Sequence, residues 1–400
     1  MATPQFVPFG NAAEADGERS FSPVDNEPPL RWQRTLRLAP SDGLGVIRRA
    51  VFFALLTWLP IALWAFVRGH FNSASAGEPL LQHYGVHVRC FVAIPMLILG
   101  EATLNTAALR YFPQFISTGI VDDAARPRFE AVMRTLRRWR DSTWPWMFVI
   151  AAALTWTLVD RMAAHGDEMS WALDENGSIG FGGLWFAYVV RPIFVALVLG
   201  WLWRIALVAM LLVRFARLDL SLEPAHPDRA GGLGFLEKLP AAFAPVSFGL
   251  SATFASHWAH QIIYHGQSLN AFKIPAAAFV VVWSLLLLIP LVVLMPLLHA
   301  AKRAALPSYS AMVAEQCRLV RRRWVDGTTK IDSPLLEPAG VGPIADAATM
   351  YGQVRSMRIL LIGKTSLVAI LLPLVVPMLV VAAVRVPIGT MLLGLVKALM

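Results

Sequence analysis

Seven stretches of this chain, near 50–67, 90–109, 143–160, 183–213, 242–265, 275–298 and 360–384, are long, apolar and carry at most two charged residues each. A helix rises ~1.5 Å per residue and so crosses ~30 Å of hydrocarbon in about 20 residues, and it satisfies its own backbone there. The expected fold is therefore all-α: a polytopic transmembrane helix bundle of about seven spans. A last apolar stretch, 387–400, is too short to cross and reads as a half-span or an interfacial helix. Composition agrees, with 56% hydrophobic and 15% charged residues, against about 25% charge in a soluble domain.

Charge orients the bundle. Of 35 Lys and Arg, 27 fall in the first 50 residues and in the loops 110–142, 214–241 and 299–364, whereas the alternate connections hold only Arg68, Arg89, Arg161, Lys273 and Arg385. Under the positive-inside rule this places the N-terminus and the three basic loops in the cytoplasm. The same asymmetry accounts for the net charge of +9, so no nucleic-acid partner is expected. Residues 1–45 read as a disordered cytoplasmic tail with no apolar signal-peptide core, followed by the bundle at 46–400. The fourth stretch, 183–213, is too long for one bilayer crossing. Splitting it would reverse every later loop against the charge count, so one helix that tilts or projects is expected.

Polar residues inside spans are costly and mark sites. In the fifth span, Thr253, His257, His260, Gln261 and Tyr264 share one face at 100° per residue, while Ser247, Ser251, Ala255 and Ala259 line another. Glu101 in the second span and Arg191 in the fourth are ionisable and need partners. Together they suggest an outward-facing polar cavity lined by Glu101, Arg191, His257, His260 and Tyr264. The alternative is a structural ion pair locking spans two and four.

Seven of nine histidines fall outside or in the outer half, leaving His226 and His299 inside. His83 and His87 are four apart and His257 and His260 three apart, spacings that put two imidazoles on one helical face. Either pair offers zinc, copper or axial haem ligation. Interfacial histidine is the competing explanation, since no cysteine or carboxylate at fixed spacing completes a recognised site, and no cofactor is favoured.

Two cytoplasmic segments carry amphipathic stripes: Phe129, Val132, Met133, Leu136 and Trp139 in one, Tyr309, Met312, Val313, Val320 and Trp324 in the other. Beside them lie Arg137, Arg138, Arg321 and Arg322, which can face anionic lipid headgroups. Alternatively the apolar stripes pack under the bundle around the projecting fourth helix. In the loop 223–240, glycines at 231, 232 and 234 can present backbone N–H groups to a phosphate, but no nucleotide-binding fingerprint is present. His226-Pro227-Asp228 matches the cochaperone J-domain tripeptide without its setting, and a tight turn is the simpler reading.

The segments HPDRAGGLGFL, LLTWLPIALWAF, VRCFVAIPMLILGE and DAATMYGQVRSMRIL resemble a group of bacterial multi-span membrane proteins of uncharacterised function. The resemblance covers most of the chain and implies a polytopic fold in the bacterial inner (cytoplasmic) membrane. It carries no catalytic or binding residues. Three function classes follow: transport of a small solute or ion through the polar cavity, placed first; a non-catalytic membrane component that binds a partner or anionic lipid through its arginine-rich helices; and a membrane enzyme or redox carrier with metal or haem on the outer histidines. No catalytic motif favours the last.

Overall fold

The computed structural model describes residues 21–72, 78–162, 171–173, 178–326 and 342–385. Among them the chain is an all-α bundle with no strand, only an isolated bridge between Leu173 and Ile179. Its helices are α1 (Pro28–Thr35), α2 (Val46–Val67), α3 (Tyr84–Val88), α4 (Ile94–Tyr111), α5 (Gln114–Ser117), α6 (Arg126–Asp141), α7 (Trp144–Met162), α8 (Phe181–Trp185), α9 (Arg191–Phe215), α10 (Ala244–Ile263), α11 (Lys273–Val292), α12 (Met295–Val320), α13 (Gly342–Ser356) and α14 (Lys364–Arg385).

Six helical stretches among the described residues are long and apolar enough to cross a membrane: Val46–Val67, Tyr84–Ser117, Phe181–Phe215, Gly234–Ile263, Leu269–Val292 and Lys364–Ala383. They correspond to six of the seven expected spans. The remaining one, 143–160, coincides with α7, whose side chains from 157 onward lie outside the described residues. The stretch 387–400 also lies outside them.

Two of these helices carry a π turn immediately before a proline, for a local reason. Pro95 and Pro192 have no N–H, and each ring would collide with the carbonyl four residues back. The backbone widens instead, so that Ile94 N–H bonds to the carbonyl of Arg89 and Arg191 N–H to that of Phe186. Each helix thereby runs on past its proline, and the fourth apolar stretch is one continuous helix of 35 residues, Phe181–Phe215. At ~1.5 Å per residue that is about 52 Å, longer than the hydrocarbon.

The projecting end of α9 is wrapped in apolar side chains. Phe215 packs against Phe115 and Phe129 with ring centroids 4.6 and 4.8 Å apart, and Phe129, Met133 and Leu136 of α6 are buried there. The α6 stripe therefore packs under the bundle, as one of the two sequence readings has it. The second amphipathic segment behaves differently: α12 is exposed along most of its length, with Met312 at the surface.

Residues 21–45, expected as part of a disordered tail, are folded into the protein. Phe21, Val24 and Leu30 are buried, and Phe21 meets Phe112 at 6.1 Å. The reason is tertiary: the apolar side chains are scattered through a polar segment, but Phe21, Val24, Leu30, Ala39 and Leu44 join one buried cluster with residues of α4, α6 and α9. Residues 1–20 lie outside the described residues.

At the centre α10 packs against α3, α4 and α14. Its small face makes this possible. Ser247 and Ser251 are fully buried, Ser251 Oγ donates to the carbonyl of Leu374, and Trp283 Nε1 donates to Ser247 Oγ at 2.9 Å. Gly249 lets α10 approach the π turn so closely that a Cβ there would lie 3.2 Å from the carbonyl oxygen of Ala93. Small residues of this kind allow helices to pack where lipid supplies no hydrophobic force between them.

Candidate metal centre

The antiparallel register of the second and fifth spans decides which polar residues meet. Gly100 lies against Val246, Gly249 against Ala93 and Met96, and the carbonyl of Gln82 against His260. Glu101 is thus level with the start of α10, about 14 residues or ~21 Å along the helix from His260. The two cannot line one site. Glu101 and His260 belong instead to separate polar clusters, one at the end carrying the basic loops and one at the histidine end.

At the basic end, Glu101 sits in a network of four charges. Its carboxylate accepts from Arg49 Nη1 at 2.5 Å and from Arg204 Nη2 at 2.8 Å, and Arg204 also donates to Glu27 at 2.7 Å. Glu27, Arg49, Glu101 and Arg204 are between 0 and 3% exposed. Gln33 accepts from Arg49 Nε, and the Arg204 guanidinium lies over Trp201 at 5.1 Å and Trp146 at 5.8 Å. Two cations balance two anions, which is how such charges tolerate burial. An ion pair does lock spans two and four, but through Arg204, and it also ties in the first span and α1. Arg191 lies elsewhere, 5.3 Å from the Phe186 ring centroid, with Arg89 stacked on that ring at 5.1 Å.

At the histidine end, three elements bring together Glu78, His83 and His260. Glu78 and Pro79 lead into a short 3-10 turn, Leu80–Gln82, which delivers His83 at the mouth of α3, while His260 lies in the last turn of α10. His83 and His260 are 4 and 6% exposed, and their rings stack with centroids 4.8 Å apart. Glu78 Oε2 is 3.5 Å from His83 Nε2 and 3.2 Å from His260 Nε2, and all three ligand atoms lie within 4.8 Å of one another. Two donors bound tetrahedrally to one ion at ~2.0–2.1 Å are about 3.3 Å apart, close to the two carboxylate separations here.

The tautomer of His260 follows from its other nitrogen. Nδ1 is 3.1 Å from the carbonyl of Gln82, which can only accept, so Nδ1 carries a proton and Nε2 is the nitrogen turned toward Glu78. Glu78 Oε2 and His260 Nε2 are both buried and neither makes a hydrogen bond. A carboxylate oxygen and a ring nitrogen 3.2 Å apart are held together by a positive charge, either a proton on Nε2 or a metal cation between the two. His265 approaches from the rim, its Nε2 3.9 Å from Glu78 Oε1 and its ring 5.3 Å from that of His260.

Tyr264 flanks the cluster, its ring 5.1 Å from His260 and its hydroxyl 3.1 Å from that of Tyr84. The hydrogen bond with Tyr84 pushes the Tyr264 hydroxyl up to about 12, so it stays a neutral polar neighbour. His87 is committed elsewhere: Trp58 Nε1 donates to its Nδ1 at 3.0 Å, and its Nε2 bonds to the carbonyl of Leu80 at 3.1 Å. His257, one turn before His260, is exposed. Of the four expected metal-ligating histidines, the fold thus joins His83 to His260, one from each pair. A haem would need its two imidazoles on opposite faces of a macrocycle, and rings stacked at 4.8 Å leave no slot for one. The carboxylate that sequence spacing did not offer is Glu78, in an irregular segment where no periodicity points to it.

The HPDRAGGLGFL loop keeps its own anion. Backbone N–H groups of Ala230, Gly232 and Gly234 donate to the Asp228 carboxylate at 2.8, 3.2 and 2.8 Å, and His226 Nδ1 lies 2.9 Å from it. Gly231 and Gly232, at φ 64° and 93°, supply the left-handed turns this wrapping needs. Burial raises the Asp228 carboxyl, but the three backbone donors and His226 outweigh it and hold it below the usual aspartate range. Two of the three glycine donors expected to meet a phosphate, Gly232 and Gly234, are therefore taken. Arg358, from the other resembling segment DAATMYGQVRSMRIL, closes the loop by donating its backbone N–H to the carbonyl of Arg229 at 2.7 Å and its guanidinium to Glu237 at 2.8 Å.

The arginines expected to face lipid diverge. Arg137 borders a polar recess of about 310 Å³ shared with Ser22, Asp25 and Arg140, while Arg138 points along an apolar groove. Arg321 and Arg322 are exposed at the end of α12. No protein-family model, no curated protein and no solved structure matches this chain.

Proposed function

We propose that this polytopic membrane protein binds a divalent first-row transition metal, zinc foremost, through Glu78, His83 and His260. The observation that carries this is the convergence of Glu78, His83 and His260, with Glu78 Oε2 and His260 Nε2 buried, 3.2 Å apart and without a hydrogen bond. Two histidines and a carboxylate are a donor set suited to zinc or iron(II), and three protein ligands leave a coordination position for water, substrate or His265. In the reading offered here the N-terminus and basic loops face the cytoplasm of a bacterium and the metal site faces outward, as the arginine asymmetry supports. The geometry favours a binding site over a conduction path. A path for solute would have to pass the buried Glu27–Arg204–Glu101–Arg49 ion-pair network at the opposite end of the bundle.

Metal analysis of the protein purified in detergent, equilibrated with zinc and washed free of excess, tests the proposal. About one equivalent is expected, retained by His257→Ala and lost by His83→Ala and by His260→Ala. No retained metal, or equal retention in all three variants, overturns it.

A further inference from the structure

On the flank of the basic end, α6 stops at Ser142, whose backbone is extended at φ −67° and ψ 137°, and the chain turns directly into α7. The corner leaves an open groove of about 670 Å³ between the end of α6, the first turns of α7 and the middle of α9. Its walls are apolar, from Phe148, Val149, Leu199 and Leu202, and the volume lies in the range of ligand sites. Three tryptophans set its depth. Trp139 and Trp203 stack nearly parallel, at 6.4 Å and 8°, and Trp144 is 77% exposed beside them. Tryptophans gathered at one level mark the interface between hydrocarbon and headgroups.

One cation stands at the groove. Arg138 is exposed at its mouth, and no ion pair for it is found among the described residues. A cation at headgroup level over an apolar floor leading away from it complements an anionic amphiphile. We infer that the groove holds an anionic phospholipid, its phosphate on Arg138 and an acyl chain along Phe148, Leu199 and Leu202. This site is independent of the metal centre, which lies at the other end of the bundle.

Native mass spectrometry of the full chain in detergent, titrated with 1-palmitoyl-2-oleoyl phosphatidylglycerol or its phosphatidylcholine counterpart, reads the occupancy. Phosphatidylglycerol is expected to bind several-fold more tightly. Arg138→Glu should reduce that preference about fivefold or more, and Arg138→Lys should retain most of it. Arg134→Glu, exposed on the same helix away from the groove, makes the same charge change as the control. Equal affinity for the two lipids overturns the inference. So does an Arg134→Glu effect equal to that of Arg138→Glu, which would reduce it to net charge. A dimer that excludes lipid adducts would put a second copy of the chain in the groove and overturn it as well.

Discussion

The Nε2 of His260 and the Oε2 of Glu78 lie 3.2 Å apart, both buried, and neither makes a hydrogen bond. Because Nδ1 is taken by the carbonyl of Gln82, Nε2 is the nitrogen left to bind a cation beside the carboxylate. A metal ion at that point makes a cross-link between α10 and the segment leading into α3.

Zinc should therefore raise thermal stability as well as bind. At a free concentration about 100 times its dissociation constant it contributes ~2.7 kcal/mol to a folded state that alone binds it. The rise in melting temperature should be present in wild type and His257→Ala and absent in Glu78→Gln, which keeps the shape of the carboxylate and removes its charge. Thermal unfolding in detergent with zinc or with a chelator measures it.

Arg204 neutralises Glu27 and shares Glu101 with Arg49. Arg204→Met should destabilise by about 3–5 kcal/mol, because it strands a buried carboxylate. Adding Glu27→Gln to that variant should restore part of the loss, since the stranded charge is then gone. Thermal unfolding of the single and double variants decides the matter, and a double variant less stable than Arg204→Met would show that burial of charge is not the dominant cost.

Phe21 is fully buried against Phe112. Phe21→Ala should cost about 3–5 kcal/mol if the segment folds cooperatively with the bundle. Limited proteolysis should then cut within 21–45, where wild type resists. Equal resistance of the two proteins would mean that the segment is held by other contacts.

Asp228 is held below the ordinary aspartate range by three backbone donors and His226. A carboxyl whose folded value is depressed adds stability above its unfolded value and loses it as pH falls through the folded one. Protection of the Ala230, Gly232 and Gly234 amides, taken as exchange relative to the intrinsic rate at each pH, should hold at neutral pH and fall only in acid below the normal aspartate range. In Asp228→Ala that protection should be lost at every pH.

The helical class was legible because hydrocarbon leaves a backbone one local solution, so runs of about 20 apolar residues announce themselves. The long fourth helix was legible for the same reason, and the need of Glu101 for a partner followed from charge in an apolar segment. Its choice of Arg204 and Arg49 over Arg191 was not, because partner choice depends on the register between helices, which Gly100 and Gly249 set through close contacts distant in sequence.

The histidine site divides in the same way. Sequence singled out His83 and His260 as members of two separate pairs, each judged by spacing along its own helix. Packing drew one residue from each pair, with His87 bonded to Trp58 and His257 exposed, and it recruited Glu78 from a stretch with no periodic signal. Order along one helix is a local property that sequence determines by itself. Which faces meet, and which irregular segment reaches between them, is decided only when the helices close on one another.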